Sequence, residues 1–566
     1  MWYDRRHSLG HIHVWILFLH ACISHSWAQE ETLVDTKQGR VRGLKLPAHS
    51  GSVSAFLGIP YGEPPTGALR FQKAEPRKPW DGVLDATKYG HSCHQLKDTN
   101  YPGFVGSEMW NVNTEVSEDC LYLNVWVPSP RPEAAAVMVW IHGGGFVAGT
   151  SSLDIYDGRY MTEAENVILM SFNYRVGPLG FLALPGSQGI QGNAGLHDQR
   201  LALQWVHENI GQFGGNPDSV TIFGESAGGA SVNLHVLSPM SHPFFTRAIM
   251  GSGSANAKWV IRTQDVARSK ALALADLLAC PTTNDIEIIT CLQSKDPQEI
   301  TKHQFSIPVD DLALLTYFTP IIDRDFLTDT PEKMMELGQF KSSEIMAGVV
   351  KNEGSLFTVY LGYGFSPFNE SLITRDQYKE NVRKLFPKAG ELALESVIFQ
   401  YTDWEEEQDP KKNRDALGHL FGDEYFLCPL VSMVQRFAER GLKTFMYRFD
   451  HRFSQLAWPE WMGVIHSGEI PFIFGEPLDG KHNYSDAEQE LSRKVMNAFA
   501  NFARTGDPNC KDGEKIWPVY TSEGQEYLSI KLDKMKIKEK LRAKECKFWD
   551  SYFPLVLKFT GHADGH

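Results

Sequence analysis

The sequence predicts an α/β fold, a mostly parallel central sheet flanked by helices, and three observations carry that expectation. Short apolar runs recur without polar alternation: Val137-Met138-Val139-Trp140-Ile141, Val167-Ile168-Leu169-Met170-Ser171-Phe172 and Ser219-Val220-Thr221-Ile222-Phe223. Runs of this length and composition suit strands buried on both faces. Between the second and third, from Asp198 to Asn209, Leu201, Leu203, Val206 and Ile210 share roughly one helical face, which predicts a right-handed strand-helix-strand crossover. The composition, 42% hydrophobic and 22% charged, is that of a globular chain, and no repeat or low-complexity segment interrupts it.

Taken in chain order, the first element is a leader. Arg5 and Arg6 precede an apolar run, Val14 to Cys22, too short to span a bilayer, and small residues at Ser26 and Ala28 fit a cleavage site. Residues 1–28 therefore read as a signal peptide and residues 29–566 as one domain, secreted and without an integral membrane segment. Export places the remaining cysteines in an oxidising compartment. Seven are left after Cys22: Cys93, Cys120, Cys280, Cys291, Cys428, Cys510 and Cys546. Six cysteines allow fifteen pairings, so spacing leaves connectivity open, although 93 with 120 and 280 with 291 would close short loops. Asn369-Glu370-Ser371 and Asn483-Tyr484-Ser485 are glycosylation sequons suited to the same route. The net charge of −14 argues against a nucleic-acid partner and leaves room for attraction of a cation.

The chemistry follows the third apolar run, at Gly224-Glu225-Ser226-Ala227-Gly228, the G-x-S-x-G pattern of a nucleophile elbow. A sharp strand-to-helix turn strains the serine backbone and lifts its hydroxyl above the sheet, while small neighbours such as Ala227-Gly228-Gly229-Ala230 let the helix start close by. About eighty residues upstream, His142-Gly143-Gly144-Gly145-Phe146 ends the first run. Acyl transfer passes through an oxyanion that needs backbone N–H groups aimed at open space, and Gly144, Gly145 and Ala227 can supply them. Together the two motifs make this an α/β-hydrolase fold, in which acid and base follow the nucleophile in chain order. Later runs, Ser343 to Val350 and Thr444 to Tyr447, extend the sheet, and Ser485 to Ala503 reads as an amphipathic helix. Glu353 follows the first of these runs, and His466 lies in a glycine-bearing loop after the second. Position alone does not single them out among the chain's acids and twenty histidines.

The longer stretches Gly106-Ser107-Glu108-Met109-Trp110-Asn111, Ser117 to Val125, Phe223 to Gly228 and Trp458-Pro459-Glu460-Trp461-Met462-Gly463 resemble the cholinesterases, the choline-ester-hydrolysing branch of the carboxylesterase group, and the similarity runs from about Thr32 to Thr560. The resemblance implies Ser226, Glu353 and His466 as a catalytic triad, with Glu in place of the commoner Asp. It also implies disulfides 93–120, 280–291 and 428–546, with Cys510 unpaired, and no metal or organic cofactor. A choline ester is the implied substrate, and its quaternary ammonium, which neither donates nor accepts a hydrogen bond, requires an aromatic face. Trp110 is the implied floor of that site, with Glu225 adding a negative field or serving as a structural hydrogen-bond partner.

By the same similarity Asp98 and Tyr360 mark the mouth of a gorge, Trp458, Phe357 and Tyr156 line it, and Trp259 sits at its acyl end. Leu314 and Thr316 stand where acetyl-selective enzymes carry phenylalanine, so the acyl pocket is expected to be roomier and to take butyryl as well as acetyl esters, with a graded preference. Three departures bear on substrate breadth: His142 replaces a usual tyrosine, Ser467-Gly468 differs from the usual residues after the histidine, and Leu96, Val147 and Leu356 replace rim aromatics. No amphipathic tail with a cysteine follows Phe559-Thr560, so a monomer or a weak helix-packed dimer is expected. Two rival readings keep much of the same sequence: a general carboxylesterase with little choline preference, and a non-catalytic adhesion relative, which would have lost nucleophile or base.

Overall fold

A computed structural model describes residues 32–187, 189–307, 317–509 and 516–560. The leader at 1–28, Leu314, Thr316 and Cys510 lie outside the described residues. Eight strands form the heart of the sheet: β1 (Tyr122–Pro128), β2 (Ala135–Ile141), β3 (Ile168–Phe172), β4 (Gly215–Glu225), β5 (Arg247–Gly251), β6 (Ile345–Val350), β7 (Thr444–Phe449) and β8 (Glu526–Ile530). Their order in space is β1-β3-β2-β4-β5-β6-β7-β8. Only the β1–β3 pairing in this series is antiparallel; from β3 to β8 every neighbour is parallel. Antiparallel strands extend both edges, Ser52–Pro60 beside β1 and Lys536–Glu539 beside β8.

The central strands are mostly apolar along their buried spans because both faces are covered. In β2, Val137, Val139 and Ile141 enter one core layer while Ala136, Met138 and Trp140 enter the other. A strand buried on two sides has no use for the polar alternation of a surface strand. The predicted crossover helix is Ala194–Asn209 (α1), four residues longer at its start than the apolar face implies. The extra turn holds no part of that stripe, but it leads into Asp198, which is fully buried and clasps Arg175 with oxygen–nitrogen distances of 2.6 and 2.7 Å. The amphipathic segment near the end is Asp486–Thr505, closed at its start by a reciprocal Ser485–Glu488 capping box and at its end by Gly506 in the left-handed conformation.

Disulfides join Cys93 to Cys120, Cys280 to Cys291 and Cys428 to Cys546. The last spans 118 residues and ties the segment after β6 to the C-terminal helices. Asn369 and Asn483 are both exposed. Among the described residues, no helix is long and apolar enough to cross a membrane.

Candidate active site

The elbow forms where β4 ends at Glu225 and the next helix, Ala227–Leu237 (α2), begins one residue later. Ser226 bridges them at φ 58°, ψ −125°, a conformation a non-glycine residue adopts only when its surroundings impose it. Those surroundings are visible: the Ser226 N–H donates to the Gly251 carbonyl at 2.9 Å, and its own carbonyl accepts from Ala230 N–H at 2.9 Å. A side chain on Gly228 would overlap the Ile141 carbonyl, and one on Gly253 would overlap the Ser226 carbonyl. Helix, β2 and the loop after β5 thus meet the serine backbone too closely for any Cβ. Gly253 was not expected from the sequence, since it lies outside the G-x-S-x-G pattern.

The glycine run after β2 turns under the same point. A Cβ on Gly143 would sit 2.8 Å from the Glu225 carbonyl oxygen and 3.1 Å from Ser226 Cβ, while Gly144 and Gly145 take φ of 111° and 61°. Gly144, Gly145 and Ser226 border one cavity. Ala227 occupies the first position of α2, where the helix itself offers its N–H no acceptor. His142 is buried, stacked on Tyr174 at 4.3 Å between ring centroids, and burial lowers its pKa to about 4, so it stands as a neutral ring.

Glu353 and His466 come together across 113 residues of sequence. His466 Nδ1 and Glu353 Oε2 are 2.6 Å apart. The other oxygen, Oε1, accepts from Ser252 Oγ at 2.6 Å and from Val350 N–H at 2.8 Å, so the carboxylate cannot rotate without losing three bonds. The imidazole is held between Phe357 and Phe426, at 5.0 and 4.6 Å between centroids. Its Nε2 is buried without a hydrogen bond and lies 3.1 Å from Glu225 Oε1, and His466 and Ser226 border the same cavity.

A third carboxylate deepens the acidic environment. Glu469, fully buried, sits with an oxygen 3.5 Å from Tyr447 Oη. Burial raises Glu225 to about 7, against the pull of His466 and of the hydrogen bond from Ser467, and it raises Glu469 to about 8, reinforced by Glu225 and Glu353. Burial works against a charged His466, but the Glu225 and Glu353 carboxylates outweigh it and bring the ring up to about 9. Glu225, Glu469 and His466 lie close enough that the protonation of each depends on the others.

The cavity has a volume of about 340 Å³ and is bordered mainly by aromatic and aliphatic side chains. Trp110, Tyr156, Trp259, Phe357 and Tyr360 all border it, as do Glu225, Ser467 and the aliphatic Val147 and Leu356. Trp110 packs beside Tyr156 at 6.5 Å, and Trp259 is fixed by a 2.9 Å bond from its Nε1 to the Tyr425 carbonyl. Asp98 does not border the cavity; its carboxylate accepts from Tyr360 Oη at 3.0 Å and thereby holds a residue that does. Trp458 likewise stands behind Tyr360, 6.1 Å away and almost wholly buried, with its Nε1 bonded to the Gly106 carbonyl. Phe426, Ser252 and Glu469 were missed from the sequence: Ser252 directly follows β5, Phe426 lies in the helical segment Asp423–Leu427 and Glu469 caps the helix Ile470–Phe474, and no motif marks any of them. Away from the cavity, His197, Asp323 and Asp325 bring ligand-type atoms within 4.8 Å of one another, but the Lys73 ammonium already pairs with Asp325.

Comparison with known proteins places this arrangement. A family model described as the carboxylesterase family matches residues 30–549. A cholinesterase of Mus musculus is 51% identical over 555 residues, covering 98% of this chain and 92% of the relative. An acetylcholinesterase of Bungarus fasciatus is 50% identical, covering 94% and 88%, and one of Danio rerio is 46% identical, covering 96% and 92%. With a mostly parallel sheet, a strained serine at its strand-to-helix turn and similarity along nearly its whole length, the chain belongs to the carboxylesterase family and is a serine carboxylic-ester hydrolase.

Proposed function

We propose that the chain hydrolyses choline esters, acetyl and butyryl alike, with Ser226 as nucleophile, His466 as general base and Glu353 as the acid that orients it. The observation that carries this reading is that the Trp110 indole and the Glu225 carboxylate border the same cavity as Ser226. An aromatic face beside a buried negative charge suits a quaternary ammonium, and the names of the three relatives support the same substrate class.

His466 takes the Ser226 proton as the hydroxyl attacks the ester carbonyl, then returns it to the departing alcohol. Glu353, pinned by Ser252 and Val350, keeps the Nδ1 proton in place and stabilises the imidazolium. Gly144, Gly145 and Ala227 donate to the oxyanion, each such bond lowering the barrier by roughly 3–4 kcal/mol. Water, activated in turn by His466, releases the acyl group. Breadth toward butyryl esters rests on Leu314 and Thr316, outside the described residues. Three disulfides and the exposed sequons at Asn369 and Asn483 support a secreted protein.

Hydrolysis of acetylthiocholine, butyrylthiocholine and an uncharged thioester of equal size tests the reading. Ser226→Ala should abolish turnover of all three. Trp110→Ala should lower kcat/KM for the two cationic esters by roughly 2- to 30-fold, the worth of one cation–π contact, and spare the neutral one. Equal loss on all three substrates refutes a choline site at Trp110 and leaves the general carboxylesterase.

A further inference from the structure

The backbone of Ser467 stands at φ 70°, the left-handed region where glycine is the least strained residue. A serine is kept there, and its side chain has one distinctive use: Oγ donates to Glu225 Oε1 at 2.8 Å. That oxygen is the same one that lies 3.1 Å from His466 Nε2, the nitrogen that must receive the Ser226 proton. Ser467 and Glu225 both border the cavity, so the contact is part of the wall that faces substrate.

We propose that Ser467 is a positioning residue that holds Glu225 in its anionic form beside His466, and through it sets both the strength of the base and the preference for cationic esters. This rests on the function proposed above. The physical case is that burial and the neighbouring Glu353 disfavour the charge of Glu225, and His466 is the countercharge beside it. Glu469, Tyr156 and Tyr447 also face it, each near enough to feel its charge. Burial already brings Glu225 to about 7, with the Ser467 hydrogen bond acting in the other direction. A donor to a buried carboxylate favours the ionised form.

Two consequences follow when the hydroxyl is removed. Glu225 protonates at higher pH, so His466 loses a neighbouring negative charge and becomes a weaker base, and the cavity loses negative charge facing a cation. Ser467→Gly is the variant of choice, because glycine suits the φ of this position and folding is not at stake. The pH dependence of kcat/KM, read with a neutral thioester and with acetylthiocholine, reports both effects.

In Ser467→Gly the acid limb of the profile should move down, because His466 titrates beside a Glu225 that has lost the donor favouring its charge. Preference for the cationic over the neutral ester at pH 7 should fall about fivefold, the drop in ionised Glu225 when a group titrating near 7 moves up by one unit. In a Glu225→Gln background the same substitution should change neither quantity. A uniform fall in kcat with the limb and the charge preference unmoved, or an equal effect of Ser467→Gly in the Glu225→Gln background, overturns the proposal. Failure of the underlying function would show separately, as turnover that survives Ser226→Ala.

Discussion

Replacing Glu353 by glutamine keeps the side chain's shape and removes only its charge, and the hydrogen bonds around it dictate what must follow. Oε1 accepts from Ser252 Oγ and Val350 N–H, so the amide oxygen of the variant is drawn to that side. The amide NH₂ then faces His466 Nδ1, which must accept, leaving the proton on Nε2. A ring in that tautomer has no lone pair for the Ser226 proton. Flipping the amide sets an N–H against the Val350 N–H, at roughly 1–3 kcal/mol for the broken bonds. Even flipped, it lacks the charge that steadies the imidazolium, worth roughly another 1.5–3 kcal/mol. The barrier should rise by about 3–6 kcal/mol, so kcat should fall roughly 10²- to 10⁴-fold, with KM and thermal stability little changed. Steady-state hydrolysis of a thioester, beside a melting curve of the same preparation, measures it. Activity within about tenfold of the wild type would show that Glu353 does not fix the tautomer, and the triad assignment would fail.

Two predictions concern stability. Arg175 and Asp198 form a fully buried, two-pronged ion pair in which Arg175 also donates to the Gln72 carbonyl; Arg175→Met should strand the carboxylate and cost about 3–5 kcal/mol in urea unfolding followed by tryptophan fluorescence, and a loss under about 1 kcal/mol would refute the pair's importance. Burial tends to raise Glu488, but the N–H and hydroxyl bonds it accepts from Ser485 and Ser454 prevail and bring it down to about 2. A carboxyl depressed in the folded state contributes stability in full above its unfolded value near 4.5 and loses it as pH falls toward 2. Glu488→Gln should therefore destabilise the wild-type fold at pH 7 and narrow the gap between the two proteins on acidification through this window; a gap independent of pH would count against it.

What the sequence by itself determined is local. Strand, turn and helix around Ser226 are legible because burial on both faces demands an unbroken apolar run, and close approach of β4, α2 and β2 demands glycine at 224 and 228. The glycines at 143–145 announce themselves for the same steric reason. By contrast, Glu353 and His466 could be ranked among many acids and histidines only by family likeness, and Ser252, Phe426 and Glu469 not at all. Their convergence arises from sheet order: β4, β5, β6 and β7 lie side by side and parallel, so the loops leaving their C-terminal ends gather at one edge although Ser226, Ser252, Glu353 and His466 are far apart in the chain. The same convergence brings Ser467 onto Glu225, across 242 residues, and carries Trp110 to the cavity wall. Spacing along a chain encodes backbone conformation and which face is apolar; which charges share a buried space depends on how strands are ordered, and only the folded structure decides that.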